Sequence, residues 1–413
     1  MIIIHAMTPD TLPRLMNDSL AEHLRLMPST VVTGARQTGK STLVRQLQSA
    51  ERRYVTLDDT EALRAARTEP ELIISGPLPI TIDEVQREPQ LMLAIKREID
   101  ERRTAGRFLL TGSANLLLMK NVSETLAGRA SYLTLWPMTR TEQLGLARSG
   151  LWDRFFETPQ QDWIDMLNTE RLPREDWRDL ARRGGFPPAA IQMQTNRERA
   201  IWFDGYVRTY LERELQSLSA ITALPDFRRL MQAAALRVGQ LLNQTSLGRD
   251  IGMAQPTAHR YLNLLETSYL LVRLPAFAIN RNKRLIKSPK IYWSDTGVAL
   301  HLSQQPEPQG AHLENVVLQD LLAWRDSGVR AAELFFWRST LGEEVDFVVE
   351  SNQRVLPIEV KSSKRARLGD TKHLRTFIDE YRDRSLPGLL LHDGERAEWI
   401  APNVLAAPWW MVF

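Results

Sequence analysis

From Ser29 to roughly Glu142 short runs rich in apolar and β-branched residues alternate with stretches of helical periodicity, the pattern of a parallel sheet covered by helices. Residues 30–33, 54–57, 78–82, 108–111 and 130–135 are predicted as strands. From Trp152 to about Leu218 the reading is mostly helical and rich in Trp, Arg and Glu, broken at Gly184-Gly185-Phe186-Pro187-Pro188. Short helices and then β-like runs follow between about Phe227 and Ser294, and a further α/β block occupies the rest. The expected division is 1–150, 151–224 as a helical lid or connector, 225–300, and 301–413. No internal repeat or low-complexity segment is evident.

The first strand-to-helix junction carries Gly34-Ala35-Arg36-Gln37-Thr38-Gly39-Lys40-Ser41, then Thr42, which fits G-x-x-x-x-G-K-[ST] in the strand and helix context that motif requires. Glycines let such a loop wrap backbone N–H groups around a phosphate, Lys40 reaches the β/γ oxygens, and Ser41 is a ligand for Mg2+. The apolar run Leu78-Pro79-Ile80-Thr81-Ile82 ends in Asp83-Glu84, as expected if Asp83 holds the magnesium shell and Glu84 polarises the attacking water. Phe108-Leu109-Leu110-Thr111-Gly112-Ser113 ends in small polar residues where a γ-phosphate sensor would sit, Ser113 first and Thr111 second. Arg129 is the candidate arginine finger, acting in cis or in a neighbouring copy, with a surface arginine as the competing reading. A finger supplied by a neighbour would require a homo-oligomer.

Ser246 to Leu265 reads as helix, tight turn, helix, with the second helix placed as the reading helix of a helix-turn-helix. Thr257, His259 and Arg260 lie near its start. Arg273, Arg281, Lys283, Arg284, Lys287 and Lys290 follow without an acidic residue among them, as a basic wing would. Six phosphate contacts would give a salt slope of roughly −5. A winged helix used for packing or protein contact reads the same way. Near the C-terminus, Gly342-Glu343-Glu344-Val345-Asp346 leads through a turn at Ser351-Asn352-Gln353 to Pro357-Ile358-Glu359-Val360-Lys361. A hairpin there brings Asp346, Glu359 and Lys361 to one edge, and alternation puts Glu359 and Lys361 on one face.

The chain has 413 residues, 43% apolar and 25% charged, an ordinary globular composition sufficient for two to three cores. A formal charge of +3 makes no case for nucleic acid by itself. The absence of cysteine excludes disulfides, thiolate zinc sites and cysteine nucleophiles. No run of eighteen apolar residues and no secretory signal pattern stand in the sequence, so the expectation is a cytoplasmic protein with no membrane partner.

The Gly34 to Lys40 loop, Ile82-Asp83-Glu84-Val85-Gln86, Leu110-Thr111-Gly112-Ser113, Gly128-Arg129 and Gly184-Gly185-Phe186-Pro187 together resemble prokaryotic AAA-type ATPases fused to a C-terminal nuclease-like domain of unknown function. The resemblance spans nearly the whole chain. It implies an α/β P-loop NTPase with a parallel sheet, a winged-helix segment, and a C-terminal α/β domain similar to the PD-(D/E)xK nucleases. That second resemblance implies divalent metal on Asp346, Glu359 and the helical acid Glu314, with Lys361 positioning or activating water. The expected function is ATP binding and hydrolysis with Mg2+, acting on duplex or branched DNA. Metal-dependent cleavage, with Mn2+ as an alternative ion, is the further expectation for the C-terminal site. The competing reading is a nucleotide-dependent switch or scaffold that works through protein partners with an inactive nuclease-like domain.

Overall fold

The computed structural model describes residues 11–47, 51–112, 126–209, 224–280, 284, 287–328 and 331–413. Five parallel strands, β1 (Ser29–Thr33), β2 (Arg53–Thr56), β3 (Ile80–Asp83), β4 (Phe108–Thr111) and β5 (Ala130–Thr134), form a sheet of order β2-β3-β4-β1-β5. Each of the five predicted strands is therefore present, within two residues at either end.

The sheet is covered on both faces. Val31, Ile80, Ile82, Phe108 and Leu110 pack in one cluster with Leu91, Ile95 and Ile99 of the helix Leu91–Glu101. Val32, Leu109 and Leu133 pack in another with Leu20 and Leu43 of the helices Asn17–Leu26 and Lys40–Gln46. Successive residues of β1 thus serve opposite cores, which is why its sequence reads as a continuous apolar run rather than an alternation. Each such Leu or Ile stabilises the fold by about 1.5–3 kcal/mol when fully buried.

The middle of the chain supplies the helices Trp152–Glu157, Trp163–Glu170, Trp177–Arg183 and Asn196–Tyr206, then Leu224–Ala235, Gln244–Asp250 and Gln255–Thr267. A two-stranded antiparallel ribbon, β6 (Leu271–Leu274) and β7 (Lys290–Trp293), follows. Trp152, Phe155, Trp163 and Trp177 are fully buried in the same core as Trp324 and Trp409 from the C-terminal block. The helices read as a lid are therefore packed into the body of the molecule.

The C-terminal block is a six-stranded sheet of order β12-β13-β11-β10-β9-β8. Its strands are β8 (Ala332–Arg338), β9 (Glu344–Ser351), β10 (Arg354–Lys361), β11 (Gly388–His392), β12 (Glu398–Ala401) and β13 (Val404–Pro408). The predicted hairpin is β9–β10. Its turn residues Asn352 and Gln353 both have positive φ, 48° and 65°, the backbone that lets a two-residue turn follow the twist of the strands. The helix Lys372–Glu380 packs through Leu374 and Phe377 on Val348, Val355 and Leu390. The helix Gly310–Ser327 packs with Phe347, Val349, Leu356 and Ile358.

This last helix is buried along most of its length. Its polar groups are used as ties: Trp136 Nε1 donates to Asp326 at 2.7 Å, Trp152 Nε1 to Asp320 at 2.5 Å, and Gln319 Nε2 to the Met138 carbonyl at 3.2 Å. No helix among the described residues is long and apolar enough to cross a membrane.

Candidate nucleotide site and C-terminal acid cluster

The loop after β1 enters through Gly34, whose φ is 142° and whose Cβ, if present, would lie 2.4 Å from the Leu135 carbonyl oxygen, so only glycine fits. Thr38 Oγ1 donates to the Ala35 carbonyl at 2.9 Å, closing the loop. Lys40 opens the following helix, is buried, and bends back to donate to the carbonyls of Gly34 at 3.1 Å and Ala35 at 2.7 Å. Burial lowers its pKa to about 8, partly offset by Glu84 and Asp83 and reinforced by Arg36. A triphosphate oxygen is the natural replacement for those two carbonyls.

At the C-terminal end of β3, two strands from β1, Asp83 is buried and held on both oxygens. Tyr54 of β2 donates to Oδ2 at 2.7 Å, and the Thr111 hydroxyl of β4 donates to Oδ1. Arg45, from the helix behind the loop, donates through Nε to Tyr54 Oη at 3.0 Å. Burial, then the bond to Asp83, lifts the Tyr54 hydroxyl to about 12, so it stays a donor. Glu84 has left-handed backbone, φ 57°; its N–H donates to Thr111 Oγ1 at 3.2 Å, and Gln86 Nε2 donates to its carboxylate. Thr111 thus touches both acids. Ser113 lies outside the described residues. The donor set Ser41 and Asp83, both hard oxygens beside a phosphate cradle, suits Mg2+.

Arg14 braces the loop from behind, donating to the Thr38 carbonyl at 2.6 Å, the Trp136 carbonyl at 2.7 Å and Glu142 Oε1 at 3.0 Å. Two tyrosines of the middle segment reach the same region. Tyr206 donates to the Arg36 carbonyl at 3.3 Å, and the Tyr269 hydroxyl lies 2.9 Å from Thr33 Oγ1. Arg14, Tyr54, Tyr206 and Tyr269 escaped the sequence reading, since none lies in a motif and their partners are distant in sequence.

Arg129 requires a correction. It immediately precedes β5, whose first residue pairs with Ser29, while the phosphate loop follows the other end of β1. Five parallel residues, about 16 Å, separate the two ends. Arg129 is half-buried and bound to Asp100 at 2.6 and 3.0 Å, so it does not reach its own nucleotide loop.

In the middle segment Asn243 caps the first helix of the pair by accepting from the Ser246 N–H. The second helix buries Ala258, Tyr261, Leu262 and Leu265 and exposes His259 and Arg260, with Thr257 half-buried in its first turn. His259 is tied to Gln244 at 3.0 Å and Asn263 at 2.9 Å.

The ribbon differs from a free basic wing. Past β6 the chain docks on β8, the Phe277 N–H donating to the Phe336 carbonyl at 2.6 Å and the Phe336 N–H to the Pro275 carbonyl at 3.0 Å. Arg284 is buried, lies over the rings of Phe277 and Phe335, and is bound to Glu350 at 2.7 Å. It is a packing residue, turned away from any DNA surface. Lys287 is exposed, and Arg281 and Lys283 lie outside the described residues.

The C-terminal acids do meet. Lys361 Nζ donates to Glu359 Oε1 at 2.6 Å, the Val360 N–H donates to Asp346 Oδ2 at 2.9 Å, and Tyr292 Oη donates to Glu314 Oε2 at 3.1 Å. Burial, then the neighbouring Asp346, raises both Glu314 and Glu359 well above the ordinary glutamate value. The cation at the centre is unexpected. Lys290 Nζ of β7 lies 2.6 Å from Glu344 Oε1, 3.2 Å from Asp346 Oδ1 and 3.9 Å from Glu314 Oε2. Burial works against its charge, but Asp346, Glu314 and Glu344 outweigh burial and hold its pKa above the lysine value. Among the described residues no group of three acids or histidines is arranged to hold a metal ion. With the Lys290 ammonium lying among these carboxylates, the expected Mg2+ or Mn2+ site on Glu314, Asp346 and Glu359 does not fit this arrangement.

A phosphate loop after β1, an acid pair after the strand two places away, and the polar end of the strand between them define a P-loop NTPase. In agreement, an AAA domain family matches residues 27–144, while domains of unknown function DUF8612 and DUF4143 match 174–309 and 309–412. The uncharacterized protein Rv2008c of Mycobacterium tuberculosis is 30% identical over 400 residues, which cover 94% of this chain and 82% of that protein. The chain belongs to the family of that protein. An uncharacterized protein of Haemophilus influenzae is 21% identical over 286 residues, covering 68% of this chain and 65% of its own. Among solved structures, the Walker-type ATPase PABY2304 of Pyrococcus abyssi aligns with a TM-score of 0.41 at 15% identity, over 71% of this chain and 96% of that one.

Proposed function

We propose that the chain is an ATP-hydrolysing switch whose nucleotide state is transmitted to a DNA-reading helix, Gln255–Thr267. The observation that carries this reading is the 2.9 Å contact between Tyr269 and Thr33, because Tyr269 stands two residues past that helix and Thr33 is the last residue before the phosphate loop. In the proposed reaction Lys40 and the loop amides, Gly34 to Thr42, hold the triphosphate. Ser41 and Asp83 would hold Mg2+, which would supply charge compensation for the transferred phosphoryl group. Glu84 orients and polarises the attacking water, and Thr111, bound to the Asp83 carboxylate and the Glu84 backbone N–H, fixes the two residues relative to each other. Ser113 keeps its role as a sensor candidate, and Arg129 serves only across a contact between copies.

Three helices followed by an antiparallel ribbon support a winged-helix reading, and Thr257, His259 and Arg260 are the proposed DNA contacts, with Lys287 at the ribbon and Arg281 and Lys283 in the same stretch. Since Arg284 and Lys290 face inward, the salt slope is expected to fall short of the roughly −5 that six contacts would give. The same docking of the ribbon favours a second reading, a switch acting through protein partners. ATP turnover measured without DNA and with single strands, duplex and four-way junctions separates them. Stimulation by duplex or junction, weakened in Tyr269→Phe, supports the DNA reading; turnover indifferent to every DNA at low salt leaves the partner reading.

A further inference from the structure

The acid cluster of the C-terminal sheet contains its own cation. Glu314 comes from the helix Gly310–Ser327, Glu344 and Asp346 from β9, and Glu359 from β10, while Lys290 arrives from the ribbon, 56 residues before Asp346. Its side chain is 2% exposed, and its ammonium lies within 4 Å of three of these carboxylates. The ammonium is within hydrogen-bond distance of Glu344 at 2.6 Å and Asp346 at 3.2 Å and pairs with Glu314 at 3.9 Å, so it fills the space between these carboxylates that a small, hard cation needing oxygens on all sides would have to occupy. The fourth acid, Glu359, is held by Lys361 and keeps one buried oxygen, Oε2, without a partner.

Buried carboxylates in such a group require a compensating charge, and a buried lysine requires carboxylates; either alone is strongly unfavourable. We propose that Lys290 is the resident cation of this cluster, taking the place of a divalent ion. The C-terminal domain then binds neither Mg2+ nor Mn2+ there and uses its acids as an ionic latch on the ribbon. Metal-dependent phosphodiester cleavage is not an activity of the latched protein. The inference is independent of the nucleotide site, so its failure would leave the ATPase reading intact.

The test is the melting temperature of the full chain in metal-free buffer and with Mn2+. The wild type is expected to show no Mn2+ response beyond that of Asp346→Asn. Lys290→Met removes the ammonium and is expected to melt lower without metal and to recover with Mn2+, the recovery being lost in Lys290→Met/Asp346→Asn. ATP turnover checks that the rest of each variant is folded. A Mn2+ response of the wild type that disappears in Asp346→Asn overturns the proposal, as does a folded Lys290→Met that gains none. Should Lys290→Met fail to fold, the wild type and Asp346→Asn decide alone. Equal responses support the lysine as cation, and a response specific to wild type rejects it.

Discussion

Lys40 turns a buried geometry into a measurable pH dependence of nucleotide affinity. In the free protein its ammonium donates to two carbonyls of its own loop, and burial brings its pKa from the ordinary 10.5 to about 8. A bound triphosphate places negative oxygens against the same nitrogen and raises the pKa again. Binding therefore takes up a proton wherever free Lys40 is neutral, and affinity falls as pH rises through about 8. With one linked proton the apparent Kd for Mg·ATP is expected to rise about tenfold by pH 9, or about 1.4 kcal/mol, and tenfold more per further unit. Calorimetric titration between pH 7 and 9.5, in buffers of different ionisation enthalpy, reads both the affinity and the proton. Lys40→Arg stays charged throughout and should bind less well but without this slope. An affinity flat to pH 9.5 with no proton uptake would refute the reasoning.

Two other consequences can be checked directly. Glu84→Gln should leave Mg·ATP affinity near that of the wild type while lowering turnover by about 10²–10⁴-fold, the usual range for a general base; unchanged turnover in single-turnover kinetics removes Glu84 from its role. Asp320 is buried, accepts from Trp152, and has one oxygen, Oδ1, without a partner; burial raises its pKa from 3.8 to about 6. The stability it lends is therefore fully present below pH 3.8 and lost as pH rises through about 6, roughly 3 kcal/mol in all. Asp320→Asn should flatten the urea stability profile between pH 4 and 7.5 and be no less stable than wild type at pH 7.5. A variant weaker at pH 7.5 with an unchanged profile would show that the carboxylate is needed ionised.

What was legible in the sequence follows from which interactions are local. The five strands of the nucleotide sheet announce themselves because both faces are buried, and the phosphate loop because its chemistry is contiguous. The hairpin carrying Asp346 and Glu359 was legible because its turn is two residues long. Arg129 was misread through neglect of polarity: parallel strands put all their entrances at one end, and it precedes β5 while the loop follows β1. The basic stretch was misread for another reason. A run of lysines and arginines is usually a solvated face, yet Arg284 lies over the rings of Phe277 and Phe335, and Lys290 lies among acids contributed by a sheet later in the chain.

The strengths of the contacts on either side of the middle segment decide where movement can occur. Toward the nucleotide loop, the tyrosine contacts are neutral hydroxyl bonds, Tyr206 to the Arg36 carbonyl and Tyr269 with Thr33, each worth about 1 kcal/mol. Toward the C-terminal sheet, the ribbon commits the buried Lys290 and Arg284 to carboxylates and inserts Phe277 among Phe335, Phe377 and Tyr381. Breaking one buried ion pair costs about 3–5 kcal/mol before the aromatic packing is counted. The helix Gln255–Thr267 and the ribbon should accordingly move with the C-terminal sheet, and the give toward the phosphate loop should lie at the two tyrosines rather than at the ribbon. Hydrogen exchange with and without nucleotide tests this: protection should change around Thr33, Arg36, Tyr206 and Tyr269 and stay constant across β6, β7 and β8. A change confined to the ribbon and β8 would place the joint on the wrong side.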